Sequence, residues 1–223
     1  MHIKIAPSIL DCDLTRLRES IAEIEEAGVD VLHVDVADGH FAPNIMSGAR
    51  LTEAVAECAT VPVDVHLMIT DPVKYAPRFI EAGADIVLFH AEAVEDLPAV
   101  VRIIRDEGAR VGVALKPNTP AEAVEPVAGE LDCLMAMTVQ PGFSGQSFME
   151  SGCQKIPALR EMFGSDIDIY VDGGIGLDTA GITVGYGANV MAAASAIFNA
   201  DVPPGAAVAR LRQAAEGALE DRD

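Results

Sequence analysis

Eight apolar runs at helix-sized intervals, a recurrent helix-stop mark and polar residues gathered at the run ends predict an α/β fold, with a closed (β/α)8 TIM barrel as the leading architecture. The runs lie near Ile3–Ala6, Val31–Val36, Val61–Leu67, Ile86–Phe89, Val111–Leu115, Cys133–Thr138, Ile167–Val171 and Val190–Ala193. Their starts are separated by roughly 20 to 36 residues, the size of a strand, a helix and two loops. The stop mark is read at Ala27-Gly28-Val29-Asp30, Ala82-Gly83-Ala84-Asp85, Glu107-Gly108-Ala109-Arg110 and Tyr186-Gly187-Ala188-Asn189. Glycine after a last helical turn supplies the left-handed conformation that other residues resist, so each mark ends a helix and opens a strand.

In chain order, Leu14, Leu17, Ile21 and Ile24 recur at helical spacing and predict a helix over Leu14–Ala27, with Asp13 able to cap it. Asp71-Pro72 is a cap-then-proline opening for the helix after the third strand. The remaining strands follow at similar intervals with no linker, which predicts one domain over residues 1–223. An open, doubly wound sheet is the alternative, because periodicity carries no information about closure.

Composition excludes several classes. In 223 residues, 50% are hydrophobic and 22% charged, which suits one large core and excludes dominant disorder. Fifteen Lys and Arg face 35 Asp and Glu, a formal charge of −20, the reverse of a nucleic-acid footprint. The longest strongly apolar run, around Val190–Phe198, is too short for a bilayer. Met1-His2-Ile3-Lys4-Ile5 lacks the pattern of a signal peptide, so a cytoplasmic protein is expected. Cys12, Cys58, Cys133 and Cys153 form no C-x-x-C pair and read as reduced, mostly buried thiols. A homo-oligomer is the base-rate expectation for assembly.

In such a barrel, reactive groups collect at the carboxyl ends of the strands. There stand Ser8; His33, Asp35 and Asp38; Asp64 and His66; His90; Lys116 and Asn118; Gln140 to Gln146; and Asp172. His33 and Asp35 are two apart on a strand and share a face, where burying an imidazole beside a carboxylate is costly unless something neutralises and ligates them. With His66 and Asp172 they make two nitrogen and two oxygen ligands, a set suited to one divalent ion: zinc, iron(II), manganese or cobalt. Hydrogen-bonded pocket residues without metal are the competing reading. Glycine-rich turns at Gly142-Phe143-Ser144-Gly145 and Gly173-Gly174, with Ala194-Ser195, point backbone N–H groups toward a phosphate.

Five segments then carry a resemblance: Ala6–Leu10, His33–Asn44, Asp64–Met68, Thr138–Gln146 and Val171–Ile175. They resemble, in order and over nearly the whole chain, the signature blocks of the ribulose-phosphate 3-epimerase family. The resemblance implies a phosphate-binding barrel that interconverts D-ribulose 5-phosphate and D-xylulose 5-phosphate. It implies metal ligation by His33, Asp35, His66 and Asp172, and acid–base roles for Asp35 and Asp172. It further implies substrate contacts from Ser8, His66, Met68 and Asp172, with Met137 near the reacting carbons. The phosphate grip falls on Gly142, Phe143, Ser144, Gly145, Gly173, Gly174, Ala194 and Ser195. Three positions depart from the pattern: Ala37 stands where methionine is usual, and Ser144 and Ala194 where glycine is usual.

Epimerisation at C3 needs a proton removed from one face and one returned to the other, hence two carboxylates flanking a cis-enediolate. The loops Phe41–Asn44 and Phe143–Gln146 have the character of segments that could close over the sugar, and their glycines and prolines equally fit ordinary turns. Two rival readings stand: a 3-epimerase of another ketose phosphate such as D-allulose 6-phosphate, and a non-catalytic sugar-phosphate sensor.

Overall fold

The computed structural model describes residues 2–220; Met1 and residues 221–223, the ends of the predicted domain, lie outside the described residues. The strands are β1 (Lys4–Pro7), β2 (Leu32–Asp38), β3 (Ile45–Met46), β4 (Val63–Met68), β5 (Ile86–His90), β6 (Arg110–Leu115), β7 (Cys133–Met137), β8 (Asp168–Asp172) and β9 (Val190–Ala193). They are ordered β1-β9-β8-β7-β6-β5-β4-β2-β3, all parallel except the β2–β3 pair. The first and last parallel strands meet: Ser8, just past β1, bridges His33 of β2, and the Asp30 N–H donates to the Ile5 carbonyl at 3.1 Å. The sheet is therefore a closed cylinder, and the open-sheet alternative falls.

Helices α1 (Leu17–Glu26), α2 (Ala49–Ala56), α3 (Pro72–Glu81), α4 (Leu97–Asp106), α5 (Ile156–Phe163), α6 (Leu177–Tyr186), α7 (Ser195–Phe198) and α8 (Pro204–Glu220) cover it. Two elements depart from the sequence reading. The helix expected over Leu14–Ala27 is a 3₁₀ turn, Leu14–Arg16, followed by α1; Asp13 accepts the Thr15 N–H, and Arg16, at φ −132°, breaks the run. A ninth strand, β3, pairs its two residues with Ala37 and Asp38 at the top of β2. It is too short to have a period.

The strands are buried on both faces, as a parallel sheet under helices must be. Outward residues such as Val34, Leu67, Phe89, Val113, Leu134 and Val171 join the helices in one core. Inward ones, among them Ala6, Leu88, Ala114, Met135, Tyr170 and Ala192, fill the lower barrel. Small side chains make room for large ones: a Cβ on Gly112 would come within 2.5 Å of both Leu88 and Cys133. Above this apolar layer the inward positions turn polar, at His33, Asp35, Asp64, His66 and His90, all buried.

The stop marks hold a second function. Gly28, Gly83, Gly108 and Gly187 all have positive φ, as their cap role requires. Three of the four marks end in Asp or Asn, and that residue clamps the preceding strand twice. The N–H groups of Asp30, Asp85 and Asn189 donate to the carbonyls of Ile5, Val63 and Ile169, at 3.1, 2.9 and 3.0 Å. Their side-chain oxygens accept the N–H of those same three residues, each at 2.8 Å. Asp132 repeats both bonds on Val111. The clamp recurs before β2, β5, β7 and β9, every second strand of the cylinder, and fixes strand register at its amino end. Asp85→Ala, which strands the buried Val63 N–H, should cost about 1–2 kcal/mol in urea unfolding. Asp85→Asn should recover most of this, since Asn189 already does the same work.

Candidate active site

β2, β4 and β8 raise four inward side chains to one point. Ligand atoms of His33, Asp35, His66 and Asp172 all lie within 4.8 Å of one another. Asp35 Oδ1 is 3.3 Å from His33 Nε2 and 3.1 Å from His66 Nδ1, and His66 Nδ1 is 3.6 Å from Asp172 Oδ2. β2 and β8 are three strands apart around the cylinder, so the two carboxylates enter from different walls. Ser8 Oγ donates to the other Asp35 oxygen at 2.5 Å.

The environments of the two acids differ. Burial works against ionisation of Asp35, but His33 and then His66 outweigh it and hold the carboxyl well below the usual range. At Asp172 the same two imidazoles pull the other way but lose: burial, and then the Asp35 charge, push it up to about 6. Burial opposes the charge on His33, yet Asp64 and Asp35 raise it above the ordinary imidazole value. Burial dominates at His90 and lowers it to about 4, against its hydrogen bond to Glu92.

These residues fit a divalent ion. His33 Nε2 is buried and faces the cluster with no hydrogen-bond partner among the described residues, while its Nδ1 is paired with Asp64 Oδ1. A carboxylate behind a ligating imidazole fixes the tautomer that points the other nitrogen's lone pair at a metal. Two nitrogens and two carboxylates also make a donor set for zinc or iron(II).

Over the cluster opens a narrow cleft with a free volume of about 50 Å³. Its walls include Ser8, Asp35, Met68, Met137, Asp172, the Gly142–Gly145 turn, Gly173, Gly174, Ala194 and Ser195. His66 lies below this lining, fully buried. Gly173 and Gly174 need to be glycine. Their φ values are +110° and +67°, and a Cβ would lie 2.4 Å from the Val139 side chain in one case and 2.9 Å from the Phe148 backbone in the other.

Other strand-end residues have different work. Asp38 accepts the N–H groups of His40, Phe41 and Thr70 and so shapes the loop beyond β2. Gln146 donates to the carbonyls of Gln140 and Phe143 within its own loop. The two candidate closing loops are tied together by Asn44, which donates to the Gly142 carbonyl at 2.8 Å. Sequence reading missed Met46 and Leu10 in the cleft wall, and Glu92, which lies against His90 on a 3₁₀ turn. The only available signal for Glu92 was its position two residues beyond a strand-end histidine.

A strand-end cluster of this kind beneath a glycine-lined cleft defines the class: a phosphate-binding (β/α)8 barrel with a candidate metal centre. The model of the Ribulose-phosphate 3 epimerase family matches residues 4–198. The ribulose-phosphate 3-epimerase of Bacillus subtilis strain 168 is 44% identical over 200 residues, covering 88% of this chain and 92% of that protein. That of Methanocaldococcus jannaschii is 44% identical over 220 residues, 97% of this chain and 93% of its own. The chain belongs to the ribulose-phosphate 3-epimerase family. Among solved structures, the 3-hexulose-6-phosphate synthase from Salmonella typhimurium superposes with a TM-score of 0.71 at 20% identity, over 97% of this chain and 100% of that one. That likeness is one of fold. No helix among the described residues is long and apolar enough to cross a membrane.

Divalent-cation affinity should fall as the pH drops through about 6, because protonated Asp172 offers an ion only a weaker, neutral oxygen and His33 adds a competing proton of the same sign. Competition against a chromophoric chelator measures this. Affinity that stays flat from about pH 8 to about pH 5 would remove Asp172 from the ligand set.

Proposed function

We propose that this enzyme interconverts D-ribulose 5-phosphate and D-xylulose 5-phosphate by passing protons between the sugar's C3 and two aspartates, Asp35 and Asp172, through a cis-enediolate. The reading is carried by one observation: two inward carboxylates, from walls three strands apart, converge at the floor of a phosphate-type cleft. Asp35, biased toward the carboxylate, is the base for one epimer, and Asp172, which holds its proton to about 6, is the acid on the opposite face. The roles exchange in the reverse direction.

His33, Asp35, His66 and Asp172 would hold one divalent ion, zinc, iron(II), manganese or cobalt. When bound it supplies Lewis-acid stabilisation of oxygen charge. Ser8 orients Asp35 through its hydrogen bond. Met68 and Met137 cover the reacting carbons with apolar surface. Gly142, Phe143, Ser144, Gly145, Gly173, Gly174, Ala194 and Ser195 receive the phosphate through backbone N–H groups and hydroxyls. With this go a cytoplasmic location, one barrel domain over 1–223, a homo-oligomeric assembly and no nucleic-acid or membrane partner.

A second substrate reading rests on Ala37, which packs with Met68, Met46 and Phe41 at the top of β2. Its methyl takes less room than the methionine usual in the family, which favours trial of a six-carbon ketose phosphate.

Asp172→Asn should leave the thermal melt near wild type and cut epimerisation by about 10²–10⁴-fold, because its amide neither takes nor gives the proton. Proton NMR in heavy water with D-ribulose 5-phosphate and D-allulose 6-phosphate checks both the rate and the substrate. Wild-type enzyme should place deuterium at C3, whereas a sugar-phosphate sensor would place none. Near wild-type turnover by the variant would end the two-aspartate scheme.

A further inference from the structure

His66 is joined to a buried polar chain that the proposed chemistry does not use. Its Nε2 lies 2.9 Å from Nε2 of His90, whose Nδ1 lies 3.1 Å from Glu92 Oε2. Both rings are wholly buried. The other Glu92 oxygen, Oε1, takes the Lys116 N–H at 2.7 Å and the Thr119 hydroxyl. The carboxylate is thus held as an acceptor from both sides.

Hydrogen accounting then fixes each proton. Glu92 only accepts, so His90 carries its proton on Nδ1 and offers a lone pair at Nε2. Two imidazole nitrogens 2.9 Å apart need one N–H between them, so His66 carries its proton on Nε2. The lone pair of His66 is left at Nδ1, the atom 3.1 Å from Asp35 and 3.6 Å from Asp172. A lone pair facing two acids is unfavourable unless a cation lies between them. At His33 the same logic runs with the atoms exchanged, since Asp64 holds Nδ1 and leaves Nε2.

We propose that His90 and Glu92 are positioning residues for the metal centre: through one hydrogen-bonded line they lock His66 in the tautomer that presents Nδ1, while Asp64 locks His33 to present Nε2. This rests on the four-residue metal reading above and adds the device that orients one ligand from outside it. Phe41, from the loop after β2, packs on His90 with ring centroids 4.7 Å apart, and Lys116 Nζ lies 3.8 Å from the centroid of the Phe41 ring. The Phe41 ring therefore covers His90 in the middle of the line, while Glu92 at its outer end is partly exposed.

The test uses zinc- and cobalt-loaded whole protein. Nitrogen-15 NMR of the zinc form should show His66 with a proton on Nε2 and metal at Nδ1, and His90 protonated on Nδ1. His90→Phe should weaken zinc affinity about 10–100-fold by chelator competition and alter the cobalt visible spectrum. His90→Gln, whose carbonyl reaches the Nε2 position, should restore much of both. Metal at Nε2 of His66, or a His90→Phe protein with unchanged affinity and cobalt spectrum, overturns the proposal and leaves the metal centre standing. Failure of wild-type protein to take up either ion overturns both. The NMR arm needs no variant, so a poorly folding substitution does not decide the outcome.

Discussion

Everything in the upper barrel depends on how a buried carboxylate, Asp35, is kept charged. Taking such a group out of water costs several kcal/mol unless partners replace the lost solvation. Asp35 receives the Ser8 hydroxyl on one oxygen, and on the other it faces His33 Nε2 and His66 Nδ1, which support its charge when protonated or through a cation held between them. Those partners come from the residue just past β1 and from β2 and β4, so the surroundings of one side chain are assembled from segments far apart in sequence. Only fixed register makes this work. A slip of one residue in β2 would turn His33 and Asp35 to the helix side and bring Val34 and Val36 inward. The repeated Asp and Asn clamps at the amino ends of alternate strands are where that register is held.

Local order at the other end of the strands serves the ligand. The chain carries a formal charge of −20, yet its family acts on anions. No Lys or Arg is among the described residues lining the cleft, so an anion there would have to be met by backbone N–H groups of the glycine turns and by a cation on the His/Asp cluster, against the charge of the two aspartates. Repulsion from the acidic surface is screened beyond about 8 Å at physiological salt, which leaves these short-range donors in control.

Much of this was legible in the sequence because a strand's period of two is strict. His33 and Asp35, two apart, had to share a face, and the run ends located the four candidate ligands. Closure was not legible, because the seam between β1 and β2 is a few hydrogen bonds between segments with no local signature. Nor was β3, whose two residues pair only because the loop after β2 folds back. The Asp and Asn of the stop marks were visible as a pattern, but their use as strand clamps is a tertiary fact. Glu92 escaped for the same reason: its meaning comes from His90, and that of His90 comes from a ring on the neighbouring strand.

The proposed chemistry asks for more than proximity of two acids. A pair of carboxylates this close cannot both be charged without help, and titrates as a unit. If the two environments were alike, the single proton would be shared evenly and neither residue would be poised as base or acid. Here the asymmetry is built in by strand neighbours. Asp35 stands beside His33 on its own strand and His66 on the next, while Asp172 looks across from β8, with Tyr170 below it and Met137 on the adjoining strand. The imidazoles therefore lower one acid far more than the other, and apolar surroundings raise the second. A cleft that merely gripped a sugar phosphate would have no use for that difference. An epimerase has to have it, since at each turnover one face of C3 must lose a proton while the opposite face is offered one.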